Sequence, residues 1–239
     1  MSQEMPTSSA ILSKIKSSGY WEVNIHPVKF NPNQIPSLQV CKNLVESSKV
    51  RLRGWDYPHI SKFGITGGTD YVESLTDFEP YVELWRMFQS GQFVHLFGFR
   101  EDRWGPIRIF WSEKPTLEPG YGLEFISTIY TISEIFEFAK RLAQKGIFNE
   151  ELNLTINMHN TKNRRIITTE IRKMIHDSYL CNIDNINIDR VISTKDMVAN
   201  SGPISIDVMC HIFERFNWFN VPRQVLIEER DKFIKGIYA

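Results

Sequence analysis

The chain is poor in several things, and each shortage removes a class of protein. It has only three cysteines in 239 residues, Cys41, Cys181 and Cys210, odd in number and far apart. Disulfide frameworks use even, closely set cysteines, so these read as reduced thiols of a cytoplasmic protein. No apolar run is long enough to span a bilayer. Met1 to Ala10 has neither the basic start nor the apolar stretch of a signal peptide. The expectation is a soluble protein with no membrane association. There is also no excess of either charge: 28 basic side chains balance 28 acidic ones. Proteins that coat duplex DNA are usually distinctly basic, because counterion release drives that binding. Neutrality leaves room only for a local nucleic-acid patch.

Specific catalytic signatures are missing as well. There is no Walker phosphate loop, no Gly-x-Ser-x-Gly elbow and no His-Glu-x-x-His zinc helix. Gly64, Gly67 and Gly68 do not lead from a strand into a helix. His176, Cys181, Cys210 and His211 lack the paired short spacings of a zinc site, and His176-Asp177 is a lone dyad. No cofactor and no metal is expected.

What is present is an ordinary globular composition, 42% hydrophobic and 23% charged, with 13% aromatic residues including six tryptophans. After a tail and short helix over 1–19, Trp21, Val23 and Ile25 alternate with Glu22, Asn24 and His26, a half-buried strand closed by Pro27. Ser37 is placed to cap a helix carrying Leu38, Cys41, Leu44 and Val45. A second strand is expected over Val50–Trp55 and a short one near Tyr71–Ser74. Asp77 then starts a helix in which Phe78, Val82, Trp85 and Phe88 recur at near-helical spacing. Phe93–Phe99 reads as a central strand, in a hairpin with Ile107–Trp111. The first six of these elements match the ferredoxin-like, split β-α-β order.

Phe125, Ile129, Ile132, Phe136, Ala139 and Ala143 predict a broad-faced, buried central helix over 122–145, stopped by Gly146. Beyond it, Leu152–Met158 is expected to pair with Arg165–Thr168. Helical patterns follow near Glu170–Tyr179, Thr194–Ala199, Ile204–Trp218 and Gln224–Ile237. The fold class is therefore α+β, mainly antiparallel, with an α+β core over 20–146. A hairpin plus helical C-terminal region over 147–239 belongs to the same domain or to a second one.

Two clusters carry the candidate chemistry. In the first, Arg51, Arg53 and Trp55 share a strand face, with Tyr57, Asp56 and His59 in the turn beyond. Arginines grip phosphate or carboxylate and the aromatic rings offer stacking, so this reads as a site for an anionic or planar ligand. The alternative is an internal network in which Asp56 caps the turn and pairs with an arginine. In the second cluster, Gln92 and His95 flank a central strand. Asp56, His59, Glu73 and His95 together are the candidate acid–base set. Lys162, Arg164 and Arg165 form a basic run suited to nucleic-acid phosphates, or to a solvated hairpin.

The strings Arg51–Ile60, RLRGWDYPHI, and Ser90–Leu96, SGQFVHL, resemble a group of uncharacterised bacterial proteins of similar size, over residues 20–140. The resemblance implies a bacterial cytoplasmic setting and a site near the two strings, and brings no activity. The reading that results is a non-catalytic binding or adaptor protein recognising a nucleotide, a nucleic-acid strand or a partner protein. The alternatives are a phosphodiester- or nucleotide-directed hydrolase using Asp56, His59, Glu73 and His95, and a structural subunit of a larger complex.

Overall fold

A computed structural model describes residues 6–108, 116–170, 175 and 177–237. In chain order the elements begin with helix α1 (Ser8–Lys16), strand β1 (Tyr20–Pro27) and helix α2 (Leu38–Ser48). Strands β2 (Thr66–Gly67), β3 (Tyr71–Phe78), β4 (Tyr81–Phe88) and β5 (Phe93–Gly98) follow. Short strands β6 (Ile107–Arg108), β7 (Thr116–Leu117) and β8 (Gly122–Glu124) precede the 20-residue helix α3 (Phe125–Gln144). Strands β9 (Glu151–His159), β10 (Arg165–Ile167) and β11 (Asn185–Ser193) and helices α4 (Thr194–Arg215) and α5 (Arg223–Ile234) complete the set.

Seven strands form one antiparallel sheet in the order β11-β9-β1-β5-β4-β3-β2. Its two faces are covered unequally. On one, α1 lays Ile11 and Ile15 against Tyr20, Leu75, Val82, Leu84 and Leu96. The other carries the larger core, where Trp21, Val23, Ile25, Trp85, Met87 and Phe93 meet the fully buried stripe of α3. The Phe93 and Phe138 ring centroids are 4.7 Å apart. Helix α3 is in turn covered by α4, with the Phe125 and Phe213 rings 5.0 Å apart. No helix of the described residues is long and apolar enough to cross a membrane.

The sheet corrects three expectations, each for a physical reason. Residues 81–88 form a strand, not a helix: Val82, Glu83, Leu84 and Trp85 are all buried because α1 covers one face and the main core the other. Burial on both faces erases the alternation that marks a half-buried strand, leaving a spacing that imitates a helix. The order is then a meander, β3-β4-β5, with β1 added at its inner edge, and not the ferredoxin-like arrangement. Residues 50–55 are not a strand either. Val50 and Tyr57 exchange backbone hydrogen bonds of 2.8 and 2.9 Å, and the chain between them is a loop turning at Gly54, whose φ is +75°.

Third, β9 pairs with β1 and β11 rather than with 165–167, which lies parallel to β8. The sheet therefore runs continuously across position 146. Ile107–Arg108 pairs with Thr116–Leu117 rather than with β5, and positions 109–111 of that expected strand lie outside the described residues. So do residues 171–174 and 176 of the helix expected near Glu170–Tyr179, His176 among them; Asp177 to Tyr179 are not helical. The patterns at 194–199 and 204–218 merge into α4, which is kinked at Asn200 (φ −122°), just before Pro203.

Candidate ligand-binding cleft

The 51–59 loop folds over the end of the sheet where β4 and β5 meet α3, and a cleft of about 560 Å³, its open mouth included, lies between them. Backbone and side-chain bonds fix the loop to the sheet. Trp85 donates its indole N–H to the His59 carbonyl at 2.6 Å. Trp55 donates its own to Glu83 Oε1 at 2.7 Å, and its ring is stacked with His59 at 3.7 Å and Tyr81 at 3.9 Å. Arg53 reaches down to α3, where Nε and Nη2 donate to the two Glu134 carboxylate oxygens at 3.1 and 2.6 Å and Nη2 also to Thr131 Oγ1 at 3.0 Å.

Glu83 is the hub. Its buried carboxylate accepts from Trp55, from His95 Nε2 at 2.8 Å and from the His59 backbone N–H at 3.4 Å. Burial pushes the Glu83 carboxyl up, but the hydrogen bond and charge of His95, with the Trp55 bond, outweigh it and hold the group below the ordinary range. The other buried acids shift the opposite way. Burial pushes Glu134 up against the pull of Arg53 and Arg100, and raises Glu101 despite the Glu124 N–H it accepts at 3.0 Å. Burial also lowers His59, an effect that Glu83 and Asp56 partly offset.

Two buried polar atoms in the cleft walls have no hydrogen-bond partner among the described residues: Tyr57 Oη and His95 Nδ1. Tyr57 is 5% exposed and His95 1%. Buried polar groups are nearly always paired, so two orphans on residues that line one cleft call for an explanation.

The structure brings some expected residues together and separates others. Arg53, Trp55, Asp56, Tyr57 and His95 line the cleft, and His59 closes its outer side through the Trp55 stack. Arg51 points into solvent, 3.6 Å from Asp56, which is held by Lys49 at 2.8 Å. Glu73 lies on the opposite sheet face, bonded to Arg86 and Ser8. Gln92 bonds Asn24 at 3.0 Å, away from the cleft. The acid–base set therefore converges only in part: His59 and His95 meet at Glu83, Asp56 lines the same cleft but is bound to Lys49, and Glu73 is on the opposite face. Trp55 has a ring on either side and offers no free stacking face. Of the basic run, Lys162 is exposed, Arg165 half-buried on β10, and Arg164 buried against Asp102. No group of three or more His, Cys, Asp or Glu among the described residues is arranged to hold a metal.

Sequence reasoning missed Glu83, Arg100, Glu101 and Glu134. Glu134 had a legible signal: a carboxylate amid the apolar stripe of a helix, three residues after Thr131. Comparison with profiles of known protein families, with characterised proteins and with solved structures finds no match.

Glu124, which caps α3 by accepting the Ser127 N–H at 2.5 Å, has its carboxyl pushed up by burial to about 7 from an ordinary 4.5. Between those values the folded chain holds a proton that the unfolded chain has released. Stability therefore falls as pH rises through this window, by about 3 kcal/mol from this group. Glu124→Gln is expected to remove that part of the slope, read as urea midpoints at pH 5 and pH 7.5. An unchanged slope contradicts the assignment.

Proposed function

We propose that the protein is a non-catalytic binding protein whose ligand is a small molecule held in the cleft between the 51–59 loop, β4, β5 and α3. The observation that carries the reading is the pair of orphaned atoms, Tyr57 Oη and His95 Nδ1, buried in the wall of one cleft. A site that served only to stabilise the fold gains nothing from a buried hydroxyl without a partner, which costs about 1–3 kcal/mol. A nucleic-acid strand or partner chain needs open surface, and the exposed residues among the candidate arginines and lysines, Arg51 and Lys162, lie outside the cleft. The hydrolase alternative requires Glu73 beside His95, and its bond to Arg86 on the opposite sheet face holds it elsewhere, while Asp56, in the cleft wall, is bound to Lys49.

Tyr57→Phe separates a binding role from a structural one. Without ligand, the variant is expected to be as stable as the wild type or more stable by about 1 kcal/mol, since an unpaired polar atom is removed. In a thermal-shift panel of nucleotides and small metabolites, it is expected to lose the midpoint rise that a cleft ligand gives the wild type. A loss of stability in Tyr57→Phe, or an undiminished ligand response, contradicts the proposal.

A further inference from the structure

We infer that Arg100 is the anchor of the cleft and that its ligand is a small oxyanion bearing a hydrogen-bond donor of its own, in the class of hydrogenphosphate and the 2-hydroxycarboxylates. The inference rests on the cleft being a binding site.

The single-turn helix Arg100–Asp102 follows β5 directly, and its three ionisable side chains part company. Asp102 takes Arg164, and Glu101 accepts the Glu124 N–H. Arg100 turns to the cleft, where its guanidinium lies 4.7 Å from the centre of the Tyr81 ring. Among the described residues it donates no hydrogen bond and forms no ion pair. The contrast with its neighbours is sharp. Arg53 and Arg164 are each gripped through two bonds by a carboxylate, Glu134 and Asp102. Burial and the charge of Arg53 oppose the charged form of Arg100 and outweigh the attraction of Glu134 and Glu101. A half-buried guanidinium in a cleft wall, with N–H donors that no described side chain takes, suits an oxyanion, because its oxygens match the planar fork.

The two orphaned atoms complete the recognition. Tyr57 Oη can donate a second hydrogen bond to the oxyanion. His95 Nε2–H donates to Glu83, and with the neutral ring taken as the binding form Nδ1 is an acceptor that asks for a donor on the ligand. Hydrogenphosphate and 2-hydroxycarboxylates have both oxygen acceptors and a hydroxyl; sulfate has acceptors alone. Glu83, Glu101 and Glu134 line the same cleft and repel further negative charge, which favours a compact ligand over a nucleoside triphosphate.

The test is titration calorimetry of the full chain with inorganic phosphate, glycolate, sulfate and glycerol at one ionic strength. Phosphate or glycolate is expected to bind at one site per chain, at least about tenfold more tightly than sulfate, and glycerol not at all. Whichever binds identifies the source of the oxyanion. Arg100→Met, which breaks no side-chain hydrogen bond among the described residues and loses only the attraction of Glu134 and Glu101 and the Tyr81 contact, is expected to stay folded and to bind at least about tenfold more weakly. Arg100→Lys is expected to recover part of the affinity. Absence of oxyanion binding, binding equal to that of sulfate, or full affinity in Arg100→Met overturns the inference. If this happens while Tyr57→Phe keeps its stability and an uncharged ligand from the panel binds, the cleft reading stands and only the ligand class falls. If Tyr57→Phe is also destabilised, both fall.

Discussion

Replacing Asp102 with alanine is expected to cost about 3–5 kcal/mol of stability, the largest single effect in this structure. Its carboxylate, 3% exposed, joins three distant parts of the chain. Oδ1 accepts from the Gly120 N–H at 2.9 Å and Arg164 Nη1 at 2.6 Å, and Oδ2 from the Gly19 N–H at 2.7 Å and Arg164 Nη2 at 2.5 Å. These bonds hold the approaches to β1, β8 and β10 at one point. Arg164 also donates to the Gly122 and Asn160 carbonyls and lies over Phe99. Removing the carboxylate leaves that cation buried and uncompensated, which costs far more than the pair gains over an apolar replacement. For a chain of this size the melting midpoint is expected to fall by roughly 6–20 °C. Should Asp102→Ala not accumulate folded, Arg164→Met, which removes the stranded charge, and the double variant give the comparison. A double variant more stable than Asp102→Ala alone is the expected result; an Asp102→Ala midpoint within about 2 °C of wild type contradicts the account.

Arg53→Ala is expected to have an effect of similar size, for the same reason in a different place. It strands Glu134, whose side chain is 2% exposed in the middle of α3. It also frees the loop that carries Trp55 and Tyr57, so the cleft loses its outer wall. A loss of about 3–5 kcal/mol follows from the buried, unpaired carboxylate. Joint replacement by Arg53→Ala and Glu134→Leu is expected to recover part of it, with a coupling energy of about 1–3 kcal/mol in the double-mutant cycle. Urea unfolding of the four proteins measures this directly. Equal stability of Arg53→Ala and the double variant is the outcome that contradicts a buried, two-pronged ion pair.

The same pair shows how far the sequence could be read. Arg53 was recognisable as unusual because an arginine, tryptophan, tyrosine and histidine crowd into seven residues beginning there. Its partner was not, because Glu134 lies 81 positions away and only the docking of α3 on the sheet brings the two together. Arg100 was hidden differently. It sits in a run of polar residues that reads as an ordinary turn, and its lack of a partner is a property of the space around it. Glu73 and His95 looked alike in sequence, each an ionisable residue near a strand. Strand parity sends His95 to the face with Glu83 and Tyr57, and Glu73 to the face with α1 and Arg86.

Local chemistry alone determined a good deal. The alternation of Trp21, Val23 and Ile25 specifies β1, Ser37 caps α2 through the Val40 N–H, and the apolar stripe from Phe125 to Ala143 specifies α3. Each signal lies within one or two turns or pleats, where side-chain period and capping act without help from the rest of the chain. The tertiary structure alone decided that 81–88 is a strand, since packing on both faces removed its period. It also decided that β9 joins β1 across the centre of the chain, and that three buried carboxylates, two arginines and two unpartnered polar atoms share one cleft. Those outcomes depend on contacts between residues tens of positions apart, and the energy of such contacts comes from desolvation in a shared interior that exists only once the sheet and α3 have closed around it.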